Sequence, residues 1–121
     1  MEWQFENDRP IYIQLVEQVQ RALLAGRYPP GAKLPGVREM AAEAGVNPNT
    51  MQRALAELET LGLVNTQRTS GRFVTEDAGS IDLLRERLAL ATAGVYVKKM
   101  RELGCSEAEI AAYAAKVKEQ E

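Results

Sequence analysis

Hydrophobic positions in the first quarter of the chain recur at the spacing of a helix. Ile11, Tyr12, Leu15, Val16, Val19, Ala22 and Leu23 fall on one stripe between Pro10 and Ala25, with Asp8 and Pro10 as start signals. Gly26 to Gly31 holds two prolines and two glycines, so the helix cannot pass through it. Lys33-Leu34-Pro35 then leaves room for a very short strand at most. A second helix is predicted from about Gly36 to Ala44, with Val37, Met40, Ala41 and Ala44 inward and Gly45 closing it. Asn47-Pro48-Asn49-Thr50 is a strong start signal: asparagine can accept a hydrogen bond from an open backbone N–H, and proline at the first helical position forgoes a donor that has no partner there. Met51, Ala54, Leu55, Leu58 and Leu61 continue as a third apolar stripe, and Gly62-Leu63 ends it as a Schellman cap.

Beyond Gly62 the period changes. Leu63-Val64-Asn65-Thr66 and Arg72-Phe73-Val74-Thr75 are strand formers around a loop, Gln67 to Gly71, of hairpin composition. Two short helices joined by Gly45-Val46 and followed directly by a hairpin have the order of a winged helix-turn-helix, with the helix from Pro48 as its reading element. Glu76 to Gly79 is read as a linker, and Ser80 as the cap of a longer helix to about Leu103. That helix carries one stripe of Ile81, Leu84, Leu88, Ala91 and Val95 and a second of Ala93, Val97, Met100 and Leu103. A short tail has too little surface to cover both stripes, so a partner subunit is expected. Gly104 stops the helix, Ser106-Glu107-Ala108-Glu109 matches a capping box, and Ile110, Tyr113, Ala114 and Val117 stripe a last helix. The expected fold is mainly α with a small β-hairpin: a DNA-binding head over residues 1–77 and a two-helix dimerisation tail over residues 78–121.

Composition narrows the function. Across 121 residues, 45% are hydrophobic and 26% charged, which suits one domain with an appendage and leaves no room for a large catalytic architecture. No apolar run approaches the roughly 20 residues that cross a bilayer, and the N-terminus lacks the pattern of a secretion signal, so a cytoplasmic location is expected. Histidine is absent and Cys105 is the single cysteine, set in the turn Leu103-Gly104-Cys105-Ser106. No nucleophile and base pair, metal-ligand cluster or glycine-rich phosphate loop points to an enzyme, and no cofactor is expected.

The net charge of -2 argues against nucleic acid when taken alone, but its distribution reverses the argument. The windows 27–38, 44–56 and 60–75 carry Arg27, Lys33, Arg38, Arg53, Arg68 and Arg72 and no acid. On the third helix Asn49, Gln52, Arg53 and Ala56 recur opposite the apolar stripe. Amides can pair with adenine edges and arginine with guanine or phosphate, so this face suits a major groove. A winged helix used instead to dock a protein partner is the competing reading, and the acid-free windows disfavour it.

The chain resembles the GntR family of bacterial transcription regulators over about Arg9 to Asp77. The resemblance is carried by Pro10-Ile11-Tyr12-Ile13-Gln14-Leu15, by the run from Pro30 to Ala41, by Gly45-Val46-Asn47-Pro48-Asn49-Thr50-Met51 and by Gly71-Arg72-Phe73-Val74. Asn-Pro-Asn-Thr with a short helical tail is similar to the YtrA-like branch. The resemblance implies DNA contacts by Arg38, by Asn47, Asn49, Thr50, Gln52 and Arg53, and by the wing residues Arg68, Thr69, Gly71 and Arg72, the wing reaching toward the minor groove. Dimer contacts are expected from Leu84, Leu88, Ala91, Val95, Ile110, Tyr113 and Val117. Gly36, Pro48 and Thr69 depart from the serine, arginine and glycine common in the family; Pro48 removes a cation, and Thr69 stiffens the wing tip. The implied function is repression of a transporter operon by a homodimer on inverted-repeat, double-stranded DNA. A small-molecule effector, if one acts, falls at the dimer interface or between tail and head.

Overall fold

The computed structural model describes residues 1–120. Five helices and one hairpin follow in order: α1 Ile11–Leu24, α2 Val37–Ala44, α3 Pro48–Thr60, β1 Val64–Gln67, β2 Gly71–Val74, α4 Ala78–Glu102 and α5 Glu107–Gln120. Each element stands where the hydrophobic pattern places it, with ends shifted by up to three residues. The structure is mainly helical with a two-stranded antiparallel sheet, a winged helix-turn-helix followed by two helices.

The head is built around α3, which packs against α1, α2 and β1. Its side chains Met51, Ala54, Leu55 and Leu58 are fully buried, as are Leu15 and Val19 of α1 and Ala41 of α2. Every large aliphatic side chain so buried contributes roughly 1.5–3 kcal/mol, so this shared core fixes the pose of α3. The turn between α2 and α3 depends on Gly45, whose φ of 72° is a left-handed conformation that costs side chains with a Cβ. There the N–H of Val46 donates to the carbonyl of Ala41 at 3.0 Å and that of Gly45 to Ala42 at 3.3 Å, the paired bonds of a Schellman cap. The same pair closes α3, where Leu63 donates to Leu58 and Gly62 to Glu59.

In the hairpin Val64 faces Val74, Asn65 faces Phe73, Thr66 faces Arg72 and Gln67 faces Gly71. Val64 and Val74 at its base are buried, and the far end is exposed. The short segment before α2 lies along the other edge of β2: Leu34 donates to Arg72 at 2.9 Å, Val74 to Ala32 at 2.8 Å, and Lys33 bridges Phe73. The wing therefore hangs from a strand held on both sides.

One stabilising device lies in the segment before α1. Gln14 is 2% exposed, and its amide accepts from the Glu6 N–H at 2.7 Å while donating to the carbonyls of Glu6 at 2.9 Å and Arg9 at 2.8 Å. Gln18 repeats the exchange with Gln4, accepting from its N–H at 3.1 Å and donating to its carbonyl at 2.7 Å. Two glutamines thus act as surrogate backbone partners along the helix, and the buried Gln14 amide has its own polar atoms satisfied in the exchange. Trp3 stacks on Phe5 with ring centroids 6.5 Å apart and donates its indole N–H to Glu43 of α2 at 3.3 Å.

Residue contacts divide the chain into two units after Leu84, so the first turns of α4 pack with the head, and Ile81 and Leu84 are buried there. The cap of α4 differs from the expectation. Asp77, not Ser80, takes the open N–H, accepting from Gly79 at 2.9 Å, and the Ser80 hydroxyl donates to its other carboxylate oxygen at 3.1 Å. The charge of aspartate is favoured at the positive end of a helix, and it draws the helix three residues earlier. In the second unit the capping box of α5 forms as expected: Glu109 donates its N–H to the Ser106 hydroxyl at 3.2 Å, and its carboxylate accepts from the Ser106 N–H at 2.9 Å. Tyr96 anchors α5 by donating its hydroxyl to the Ile110 carbonyl at 2.6 Å.

Candidate nucleic-acid interface

The cap fixes where α3 begins. Asn47 has extended backbone angles, and its side-chain oxygen accepts from the Asn49 N–H at 2.8 Å, with Pro48 following as the first helical residue. Asn47 is therefore a structural cap at an exposed position. Along the side of α3 opposite its core residues, Asn49, Gln52, Arg53 and Ala56 are exposed, while Thr50 is half-buried. The side chains of Asn49 and Gln52 make no hydrogen bond among the described residues, so both amides are available to a ligand. No acid lies in the first turn of α3, and its N-terminal dipole end is left electropositive.

Arg38 is exposed in the first turn of α2, and Arg68 is exposed at the tip of the wing; neither forms an ion pair among the described residues. The wing tip is a tight connection. Ser70 donates its N–H to Gln67 at 3.0 Å across Arg68 and Thr69, and Gly71 follows with φ 106°. The left-handed glycine directly after this turn lets the three-residue loop lead back into β2, with Gly71 paired to Gln67. A side chain at Gly71 would stand 3.1 Å from Lys33 Cε, so the glycine also makes room for a lysine laid across the wing. Arg72 is half-buried beside it, opposite Thr66, and its Nε is buried without a hydrogen-bond partner among the described residues. The Thr66 hydroxyl donates to Glu59 at 3.0 Å and ties the hairpin to the last turn of α3.

Two contributors escaped the sequence reading. Lys33 counts there only as a charge in an acid-free window, yet strand pairing sets it against Phe73 and over Gly71. Tyr12 counts as part of an apolar stripe, yet its ring lies under the Arg53 guanidinium at 3.6 Å. Both depend on contacts between elements distant in sequence, for which local spacing carries no signal.

The tail residues divide by exposure. Leu84 and Ile110 are 3% and 6% exposed within the single chain, so their own chain already covers them and they need no partner. Leu88 is half-buried, while Ala91, Val95, Tyr113 and Val117 are exposed. No helix among the described residues is long and apolar enough to cross a membrane, and none of their acidic or cysteine side chains group as a metal site.

With this geometry in place, similarity to known proteins decides the family. Residues 11–74 match the family described as bacterial regulatory proteins, gntR family. The chain belongs to that family. Among its relatives, the regulator is 43% identical to the HTH-type transcriptional regulator YhcF of Bacillus subtilis, over 91% of each chain. It is 36% identical to the HTH-type transcriptional repressor YtrA of the same organism, over 79% of this chain and 82% of that one, which supports the YtrA-like branch. A GntR-family regulator from Listeria monocytogenes has the same fold with a TM-score of 0.87 and 37% identity, covering 93% of this chain and 98% of the other. The DNA-binding domain of AraR, solved in complex with an operator, superposes with a TM-score of 0.57 and 26% identity over 62% of this chain and 96% of its own. The regulator is thus a DNA-binding transcription factor, and its family and relatives are regulators of transcription, not enzymes.

Proposed function

We propose that the regulator is a homodimeric repressor that occupies an inverted-repeat operator in the cytoplasm and controls a transporter operon. The observation that carries the reading is the outer face of α3: Asn49 and Gln52 carry unspent amides beside Arg53, on a helix whose first turn is capped and free of acids. Two amides three residues apart match the donor and acceptor edges of a major groove, and the guanidinium beside them adds a cation next to it. Arg38 ahead of α3 and Arg68 with Arg72 behind it supply cations for the flanking phosphates, and Lys33 adds another at the wing. Thr50, Thr69 and Gly71 bring backbone and small polar groups to the same strands of the duplex. Few cations are involved, so one head binds weakly and two heads on one site supply the affinity.

A second copy of the chain is the natural cover for the tail. Leu90, Val95, Leu103 and Val117 are each more than half exposed, and soluble monomers rarely leave so much aliphatic surface open. The repressor role is supported by the name of the YtrA relative, and the transporter operon by likeness to that branch. No effector is required for this reading.

The test combines mass and binding. Sedimentation should give twice the chain mass of 13.4 kDa, and Val95→Glu with Val117→Glu should return the monomer and lose tight operator binding. On a footprinted genomic fragment, Arg38→Ala should weaken binding on every sequence and lower the salt slope by about 1, whereas Gln52→Ala should change base preference by about 1–3 kcal/mol at one position. A monomeric wild type, or operator affinity unmoved by both head variants, overturns the proposal.

A further inference from the structure

Arg53 is the one cation on the outer face of α3, and it does not swing free. Its guanidinium carbon stands 3.6 Å above the centre of the Tyr12 ring, the distance of a full stack. Tyr12 is the second residue of α1, half-buried, and α1 is packed along α3 by the common core of the head. No carboxylate pairs with Arg53 among the described residues, so the ring is what restrains it.

The stack has a chemical consequence. A guanidinium lying flat on a ring spends its face and keeps its five N–H donors, which point outward in the plane of the group. It also draws the side chain sideways toward α1, off the row along which Asn49 and Gln52 project. While stacked, the arginine is held toward α1 and not extended toward the floor of a groove. It stands instead at the margin of the reading helix, where a duplex seated on α3 runs its sugar-phosphate strand.

We propose that Tyr12 is a positioning residue for DNA binding, its ring holding Arg53 in one orientation so that the N–H edge meets a backbone phosphate beside the groove. The proposal rests on α3 being the reading element. The outer face then has two roles, with Asn49 and Gln52 reading bases while the Tyr12 and Arg53 pair grips the strand without regard to sequence. Prepaying the order of a long side chain in the free protein is the gain, because an unrestrained arginine would lose its rotamer freedom on binding.

The experiment is fluorescence anisotropy of the full chain on a footprinted operator duplex and on scrambled duplex at several salt concentrations. Arg53→Gln should weaken both and lower the salt slope by about 1. Tyr12→Leu should weaken both by roughly two- to five-fold, the scale of an exposed cation–π contact, while Tyr12→Phe keeps wild-type affinity. In the Arg53→Gln background, Tyr12→Leu should add nothing. Arg53→Gln without effect, Tyr12→Leu without effect, or a Tyr12→Leu loss of the same size in both backgrounds overturns the inference. Should Tyr12→Leu fail to fold, the unmutated protein decides: Arg53 Hδ protons shifted upfield by the ring in the DNA complex support it, and random-coil shifts there overturn it. A wild type that binds no duplex at low salt removes the reading face itself, an outcome seen before any substitution is made.

Discussion

Asn47 holds two roles that one pair of substitutions can separate. In the structure its side-chain oxygen accepts from the Asn49 N–H at 2.8 Å and so satisfies one of the open donors at the start of α3. Asn47→Ala removes that acceptor. The site is exposed, so water takes over part of the bond, and Pro48 continues to preset the first helical φ. The loss should therefore sit near the middle of the range for caps, about 1 kcal/mol. For a head of this size, that corresponds to a fall in melting midpoint of about 4–8 °C. Asn47→Asp keeps the acceptor and adds a negative charge favoured by the helix dipole, so its midpoint should equal or exceed that of the wild type. The same charge placed where α3 approaches the duplex repels phosphate, so operator affinity should fall by tenfold or so, corresponding to about 1.4 kcal/mol. Circular dichroism at fixed protein concentration reads the first effect, since the midpoint of an oligomer moves with concentration, and anisotropy on operator DNA reads the second. An Ala variant that melts with the wild type refutes the cap, and an Asp variant that binds as well as the wild type refutes the placement of this helix end beside the strands.

Other perturbations reach different parts of the molecule. Gly71→Ala puts a Cβ 3.1 Å from Lys33 Cε on a residue with φ 106°; it should destabilise the head by about 1–2 kcal/mol and weaken operator binding, and a midpoint within error of the wild type would contradict the strained turn. Stability should be nearly flat from about pH 6 to 7, because the chain has no histidine. Below that range it should fall. The carboxyls of Glu43, beside the amino terminus, of Glu107, beside Arg101, and of Glu109, hydrogen-bonded to Ser106, are held under the usual carboxylate range. Their contribution is present above the unfolded pKa of about 4.3 and is lost as pH drops through the lower folded values. A thermal melt series from pH 7 to pH 3 checks this, and a midpoint that rises on acidification would contradict it.

How far the sequence could be read depended on how local each signal is. Helix stripes, the Asn47 and Pro48 start, the glycine stops and the strand-forming runs act over a few residues, and all the elements they predict are present. Capping was legible where one acceptor stood alone, as at Asn47 and Ser106. It was misassigned where two competed, because Asp77 and Ser80 are both good caps and only the backbone path shows which one faces the open N–H. The exposed amides of α3 were legible too, since a residue opposite an apolar stripe has nowhere to go but outward. What spacing could not supply was any partner brought from another element. Gln14 enters only as part of a family motif, and the return of residues 4–9 along α1 is what turns it into a buried clamp. Arg53 reads as a groove or phosphate contact on the outer face of α3, and nothing in its spacing shows that α1 sets Tyr12 beneath it.

The tail shows the same limit from the other side. Two apolar stripes on α4 looked like more surface than the tail could cover, so a partner subunit was expected, with Leu84 and Ile110 among its contacts. Leu84 and Ile110 are instead buried by their own chain, the first against the head and the second within the tail unit. Covering these two leaves Leu83, Leu90, Ala91, Val95, Leu103, Tyr113 and Val117 exposed and Leu88 half-buried. If the dimer proposal holds, its interface must be drawn from that smaller set, and substitutions at Leu84 or Ile110 should lower the stability of a single subunit before they touch association. Leu84→Ala should therefore cost about 2–5 kcal/mol in the melt of a tail-disrupted monomer as well as in the dimer, while Val95→Ala should move the dissociation constant of the dimer and leave the monomer's midpoint in place. Equal effects of both substitutions on association alone would mean that Leu84 belongs to the subunit interface after all.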